Sequence, residues 1–379
     1  MRIFENIHID WLGKRKIFYI ISISLFLIGW ANVLIRGLHF GIDFKGGTEI
    51  VLQFDKAVDV STVRSYVEKI GLGFVEIKTF GGETGVLIRT ESQNIPKAIF
   101  PKVVDHIDNA IDKIYPGIPK TKVDTSASTI TYAFSNADTT NELISRLLAA
   151  GYQAGKVSEE LTNKQMVVRV GIADWIKENL RTNMPGNPFQ IIKEDHVGPK
   201  VGNELKTNAL IAIALSLIGI LIYLAFRFKF IFAVGAVVAL FHDVLITIGL
   251  YAALYGVIPG LNLEIDLTVV AAFLTLIGYS VNDTVIVFDR VRENLKIHKT
   301  MPLEELINQS VNRTMSRTIL TAGTVLLAVL VLLIFGGEVL RAFSFTLFFG
   351  TIIGTYSSIF VASALVLEYA NRFQKKVNF

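Results

Sequence analysis

The sequence predicts a polytopic α-helical membrane protein, in which six transmembrane helices carry one folded α+β domain placed after the first of them. Three observations point there. Of 379 residues, 51% are hydrophobic and 18% charged, whereas a soluble domain has about a quarter of its residues charged. Six apolar runs reach the length of about 17 to 25 residues that spans a bilayer. The Lys and Arg residues flank those runs instead of gathering on one polar face. A formal net charge of +4 and a pI near 9.0 are therefore no sign of nucleic-acid binding. The chain has no cysteine, which excludes disulfides, thiolate nucleophiles and Cys-based metal sites and suits a domain exported to an oxidising compartment.

The first apolar run, 17–35, follows Lys14, Arg15 and Lys16. No small-x-small cleavage site comes after it, and Arg36, Gly37 and Leu38 lead straight into structured sequence, so it reads as an uncleaved anchor. Five more runs occupy 209–226, 230–254, 265–288, 319–335 and 343–367. Arg227 and Lys229 lie between the second and third runs. Arg290, Arg292, Lys296, Lys299, Arg313 and Arg317 lie between the fourth and fifth, and Arg372, Lys375 and Lys376 follow the sixth. Residues 255–264 hold no Lys or Arg, and 336–342 hold only Arg341. This alternation predicts a multi-pass protein of the cytoplasmic membrane with both termini in the cytoplasm. The expected domains are 1–36 (N-terminus and first helix), 37–205 (extracytoplasmic) and 206–379 (a five-helix bundle).

Within 37–205, strand patterns at 49–54 and 86–90 bracket a helical period at 61–70, where Val63, Val67 and Ile70 share a face. Glycines at 71–73 and 81–85 mark turns. The order recurs as a strand at 129–134, a helix at 140–149 closed by Gly151, a strand at 165–170 and a helix at 173–180. At an offset of 80, Phe54 falls on Phe134 and Gly71 on Gly151. Two β-α-β-β-α units of a ferredoxin-like, duplicated domain are expected, with 118–127 as their link and 189–195 as a last strand.

No catalytic constellation is legible. The run Gly41–Thr48 (GIDFKGGT) superficially resembles a phosphate loop, but Gly47 stands where that loop needs its lysine, and a strand follows where phosphate cradling needs a helix N-terminus. Gly41, Asp43, Gly46 and Gly47 are expected to form a structural turn. His39, His106 and His196 lack metal-ligand spacing, so no metal, ATP or other cofactor is expected.

Ionisable residues inside the spans carry the functional signal, because a charge at a helix centre costs about 3 kcal/mol on insertion scales. Asp283 leads. It sits in the run 278–284 (GYSVNDT), whose small and polar residues suit a hydrated helix contact. It reads as a proton-carrying acid or, failing that, a polar clamp. Asn282 and Thr284 flank it and offer neutral oxygens to a pathway for H⁺ or Na⁺. Arg317, opening the next span at similar depth, is either its partner or a positive-inside anchor. His242 and Asp243 come next. Neighbours on a helix diverge by about 100°, so one is expected to act and the other to pack, with Asp243 the better candidate. Asp266 reads as a helix cap.

Together these motifs resemble SecF, the smaller membrane subunit family of the SecD–SecF accessory complex of bacterial protein export. The resemblance runs through GIDFKGGT (41–48), VGPKVGNEL (197–205), FRFKF (226–230), His242–Asp243, the run 265–294, SRTILTAGT (316–324) and FGG (335–337). It implies an architecture like that of the resistance-nodulation-division transporters, with Asp283 and Arg317 in proton conduction. It further implies that H⁺ flow drives a non-enzymatic subunit which helps draw unfolded exported polypeptides outward. The implied partners are SecD, the SecYEG translocon and a YajC-like subunit, with no nucleic acid. A domain of about 170 residues is longer than the single ferredoxin-like unit usual in this subunit. A small-molecule exporter and a passive scaffold are the competing readings.

Overall fold

The computed structural model describes residues 8–92, 94–126, 128–149, 152–160, 162–258 and 261–373. The chain divides into two compact units, one formed by 1–44 with 203–379 and the other by 45–202. Those divisions fall a few residues inside the expected limits of 37 and 205.

The helical unit starts with α1 (Arg15–Arg36) and the first turn of the short α2 (Ile42–Lys45). The sheet-bearing unit follows as β1 (Gly47–Phe54), α3 (Val60–Lys69), β2 (Val75–Thr79), β3 (Gly85–Thr90), α4 (Phe100–Ile114), β4 (Lys120–Ser126), β5 (Thr129–Phe134), α5 (Ala137–Ala149), β6 (Gln153–Lys156), β7 (Gln165–Arg169), α6 (Ile172–Asn183) and β8 (Phe189–Val197). The chain then runs into α7 (Pro199–Arg227), α8 (Phe230–Leu254), α9 (Leu267–Ile297), α10 (Leu303–Phe335), α11 (Gly337–Ser357) and α12 (Ala364–Phe373), the last two joined through a π-helical segment at Ser358–Ser363.

Six stretches among the described residues are long and apolar enough to cross a membrane, ending with Gly337–Phe373 as one continuous helical rod. They outrun the apolar runs that reveal them. α9 extends to Ile297 and α10 begins at Leu303, so Arg290, Arg292, Arg313 and Arg317 sit on helix and not in a loop. Polar ends of long helices leave no trace in a hydropathy window. α8 and the α11–α12 rod are the most enclosed helices, whereas α1 and α7 are largely exposed within the chain. The Asp266 side chain caps α9 by accepting from Val269 N at 2.8 Å, as expected of it.

The sheet-bearing unit holds two four-stranded sheets of the same order, β2-β3-β1-β8 and β4-β5-β7-β6, antiparallel wherever neighbours pair. Each run β1-α3-β2-β3-α4 and β5-α5-β6-β7-α6 has the β-α-β-β-α order expected of the repeat. The pairing corrects how the runs close. α6 packs with α3 against β1, and Lys177 of α6 reaches Glu194 of β8 at 2.9 Å. α4 packs with α5, and its Asp108 accepts from Tyr132 of β5 at 3.0 Å and meets Lys122 of β4 at 2.5 Å. One lobe is therefore β1-α3-β2-β3-α6-β8, a ferredoxin-like order. The other, α4-β4-β5-α5-β6-β7, is the same fold circularly permuted and inserted between β3 and α6. The stretch expected as a bare link, 118–127, supplies the edge strand β4. Its residues face solvent almost throughout, which hides the alternation that marks a half-buried strand. Gly151, which anchors the offset of 80, lies outside the described residues. A single hydrophobic core runs through both lobes, from Ile50 and Leu52 to Met166 and Ile176.

Candidate functional site

Four helices of the bundle bring polar groups together where the sequence is otherwise apolar. The Asp243 carboxylate of α8 is 1% exposed. Its Oδ2 accepts from Ser280 Oγ of α9 at 2.6 Å and from Ser357 Oγ of α11 at 2.9 Å. Its Oδ1 lies 2.9 Å from His242 Nδ1. The two side chains thus meet, although one was expected to act and the other to pack on separate faces. The backbone directions of His242 and Asp243 do diverge, but the imidazole turns back far enough for its ring nitrogen to meet the carboxylate.

The other ring nitrogen of His242, Nε2, lies 3.0 Å from both Ser22 Oγ of α1 and the Tyr356 hydroxyl of α11, and those two hydroxyls bond each other. A hydrogen-bonded chain thus crosses the bundle from α1 through His242 and Asp243 to α9. Every member has a partner, the condition under which a buried polar network is tolerated. Gly354 of α11 makes the approach possible, since a Cβ there would stand 2.9 Å from Ser280 Oγ and 3.4 Å from Asp243 Oδ2.

Asp283 is 7% exposed and lies nearly one turn beyond Ser280 on α9. It lines a pocket of about 10 Å³ with Ser280, Thr321 of α10, and Thr351 and Gly354 of α11. That volume is at the lower limit for one water molecule. Among the described residues no hydrogen bond or ion pair engages the Asp283 side chain, and the buried hydroxyl of Thr351 beside it has no partner either. Ser280 belongs to both sites, bonding Asp243 while walling the Asp283 pocket, so the two buried acids stand one serine apart.

The remaining expected residues are placed less centrally. Arg317 is exposed on α10, one turn before Thr321, whose hydroxyl donates to the Arg317 carbonyl at 3.0 Å. It neighbours Asp283 across the α9–α10 contact, but among the described residues no ion pair joins them. Asn282 is exposed, and the Thr284 hydroxyl is turned onto the Ser280 carbonyl of its own helix at 3.3 Å. Neither joins Asp283, because residues adjacent to it on a helix point elsewhere. Gly278 is likewise open, with nothing near its Cβ direction. The alternation of small residues at 278, 280, 282 and 284 has strand spacing and makes no single helix face.

The glycine loop is tied into the helical unit by hydrogen bonds. Asp43 Oδ2 accepts from Leu267 N at 2.9 Å, and Gly41 N donates to Ile265 O at 2.9 Å, which ties the segment after α1 to the start of α9. Gly46 and Gly47 have φ of 76° and 123°. A Cβ on Gly47 would stand 2.3 Å from the Thr90 carbonyl oxygen.

Sequence reasoning passed over Ser22, Tyr356, Ser357 and Gly354 as parts of the site, and took Ser280 only as one of the small polar residues around Asp283. Lone hydroxyls and glycines are common in spanning helices, and only their convergence on one carboxylate distinguishes these.

Residues 176–372 match the family model described as protein export membrane protein SecD/SecF, C-terminal, which takes in Asp243, Asp283 and Arg317. Residues 33–58 match the SecD/SecF GG motif, which takes in Gly41, Asp43, Gly46 and Gly47. The chain is 38% identical over 372 residues to the protein translocase subunit SecF of Rhodothermus marinus, covering 98% of this chain and 96% of that one. It is 37% identical over 390 residues to that of Koribacter versatilis, covering 97% and 93%. Among solved structures it resembles the crystal structure of SecDF, a translocon-associated membrane protein, from a Thermus species, with a TM-score of 0.63 and 30% identity. That match covers 97% of this chain and 39% of the SecDF chain, so this chain spans about two fifths of that protein.

Proposed function

Because the chain belongs to the SecF family of protein translocase subunits, we propose that it is a proton-driven transport subunit that promotes polypeptide export across the cytoplasmic membrane, working beside a SecD-type subunit and a SecYEG-type translocon with a YajC-like protein. In this reading both chain termini lie in the cytoplasm and the sheet-bearing unit lies on the opposite side.

One observation carries the proton: two buried carboxylates, Asp243 and Asp283, linked through Ser280. An unpaired acid in a spanning bundle is costly and marks an ion path by default. Asp283 has what a carrier needs, which is a nearly enclosed carboxylate with no fixed partner among the described residues, a pocket scaled to a single water and a cation, Arg317, on the neighbouring helix but not bound to it. Asp243 is different, held by three donors and suited to pass charge through its network or to fix the geometry. The donors around Asp243 favour H⁺ over Na⁺, which requires several acceptor oxygens.

The test is gradient-driven export in inverted vesicles holding this chain with its SecD-type partner, comparing wild type with Asp283→Asn. The exchange keeps size and hydrogen bonding and removes the titratable group. Assembly is expected to survive while the gradient-dependent part of export is lost. Full gradient dependence in the variant would make Asp283 a polar clamp and return the chain to the scaffold reading.

A further inference from the structure

Between the two lobes of the sheet-bearing unit lies a cleft of about 200 Å³ that the transport reading leaves without a task. The inserted lobe contributes His106 of α4, Tyr152 before β6 and Arg169 at the end of β7. The other lobe contributes Trp175, Glu178 and Arg181 of α6. The volume falls below the roughly 300–1,000 Å³ of small-molecule sites and suits one residue of a longer chain.

The chemistry of the walls is lopsided. The two acids in the lining are engaged, Asp174 by Lys177 at 2.8 Å and Glu178 by His106 at 3.5 Å. The two guanidiniums, one on each lobe, form no ion pair among the described residues; Arg181 lies over the Phe189 ring at 5.8 Å and is near enough to Glu178 for its charge to act there. Trp175 is 7% exposed, and its indole N–H is buried with no acceptor among the described residues. The cleft therefore offers one guanidinium from each lobe together with aromatic lining, and its two acids are already engaged. Guanidinium groups recognise carboxylates with charge-assisted, two-pronged hydrogen bonds.

We infer that this cleft is a binding site for an extended polypeptide, which it grips at an acidic side chain held between Arg169 and Arg181. The inference rests on the export reading for the source of the polypeptide. Its placement between an inserted lobe and its host allows the same contacts to bridge the lobes when the chain is bound.

Binding is measured by fluorescence anisotropy on the full chain in detergent, with no partner and no gradient. The probe is a labelled, unstructured peptide carrying one Glu, set against its Gln twin. The Glu peptide is expected to bind about tenfold tighter, the scale of one charged hydrogen bond. Arg169→Ala and Arg181→Ala are each expected to remove about that factor. Both side chains are exposed, so folding is not at stake. Trp175→Phe, which keeps an aromatic side chain but removes the larger indole and its N–H, is expected to weaken both peptides alike. Equal affinity for the Glu and Gln peptides, or arginine variants that bind like wild type, would overturn the site. Inorganic phosphate displacing the peptide at the concentration where a free Glu side-chain analogue does so would reassign it to small anions. A chain that fails here yet keeps Asp283-dependent export loses the cleft and not the transport role.

Discussion

At the scale of single residues, His242 and Asp283 illustrate opposite uses of a buried polar group. Asp283 is poised by having no hydrogen bond among the described residues, whereas His242 is fully occupied, with Nδ1 on Asp243 and Nε2 shared by Ser22 and Tyr356. A histidine with both nitrogens engaged across three helices can pass a proton between them by exchanging tautomers. His242→Gln can satisfy one side of that link but not carry a proton from one to the other. Gradient-driven export in the vesicle system should then fall by about a hundredfold, the lower end of what positioned proton-transfer groups contribute, with Asp283 untouched. An unchanged rate would reduce His242 to a packing residue that orients Asp243. The sequence displayed both acids, because a carboxylate in an apolar run is conspicuous. It did not display their wiring, because the serines and the tyrosine that make it are unremarkable one at a time.

At the scale of elements, glycine contacts separate a helix crossing from an idle position. Gly29 of α1 and Gly249 of α8 lie against each other, such that a Cβ on either would stand 2.7 or 2.9 Å from the Cα of the other. Close backbone approach through small residues is how spanning helices gain packing, and this crossing holds the helix that carries Ser22 against the helix that carries His242. Gly249→Leu should lower the thermal midpoint in detergent, by an overpacking cost of about 1–3 kcal/mol. Gly278→Leu, at an open position on α9, should leave the midpoint where it was. Equal shifts in both variants would mean that the α1–α8 approach is not specific. The helices themselves were legible, since each of the six apolar runs lies in a spanning helix, apart from 265–266 just before α9. Their polar extensions were not, nor was β4, where solvent on both sides erases the period that reveals a strand. The duplication showed in the order of elements, but the exchange of α4–β4 and α6–β8 between lobes did not. Topology of that kind depends on pairing between segments far apart in sequence, and no local pattern encodes it.

At the scale of the whole molecule, the sheet-bearing unit is two lobes on one core, joined by polar contacts at the mouth of the cleft. Glu178 on α6 is the acid of that junction. Its carboxyl is held below the usual carboxylate range, first by the hydrogen bond from His106 of α4, then by the charges of His106, Arg181 and Lys113, against an opposing effect of burial. A group whose folded pKa is depressed stabilises the fold above its unfolded pKa, and that contribution is lost as pH falls through the folded value. Acidification from neutral pH to below the ordinary Glu range of about 4.3 should therefore loosen α4 from α6 before either sheet opens. Hydrogen exchange on the full chain reads this directly, as a loss of protection in α4 and α6 that precedes any loss in β1 or β5. Glu178→Gln should show reduced α4 and α6 protection already at neutral pH, and little further change on acidification in that window. If wild type and Glu178→Gln lose protection in parallel as the pH falls, the lobes are held by their shared core alone. The cleft would then be a rigid socket, and not a pair of lobes that a bound polypeptide draws together.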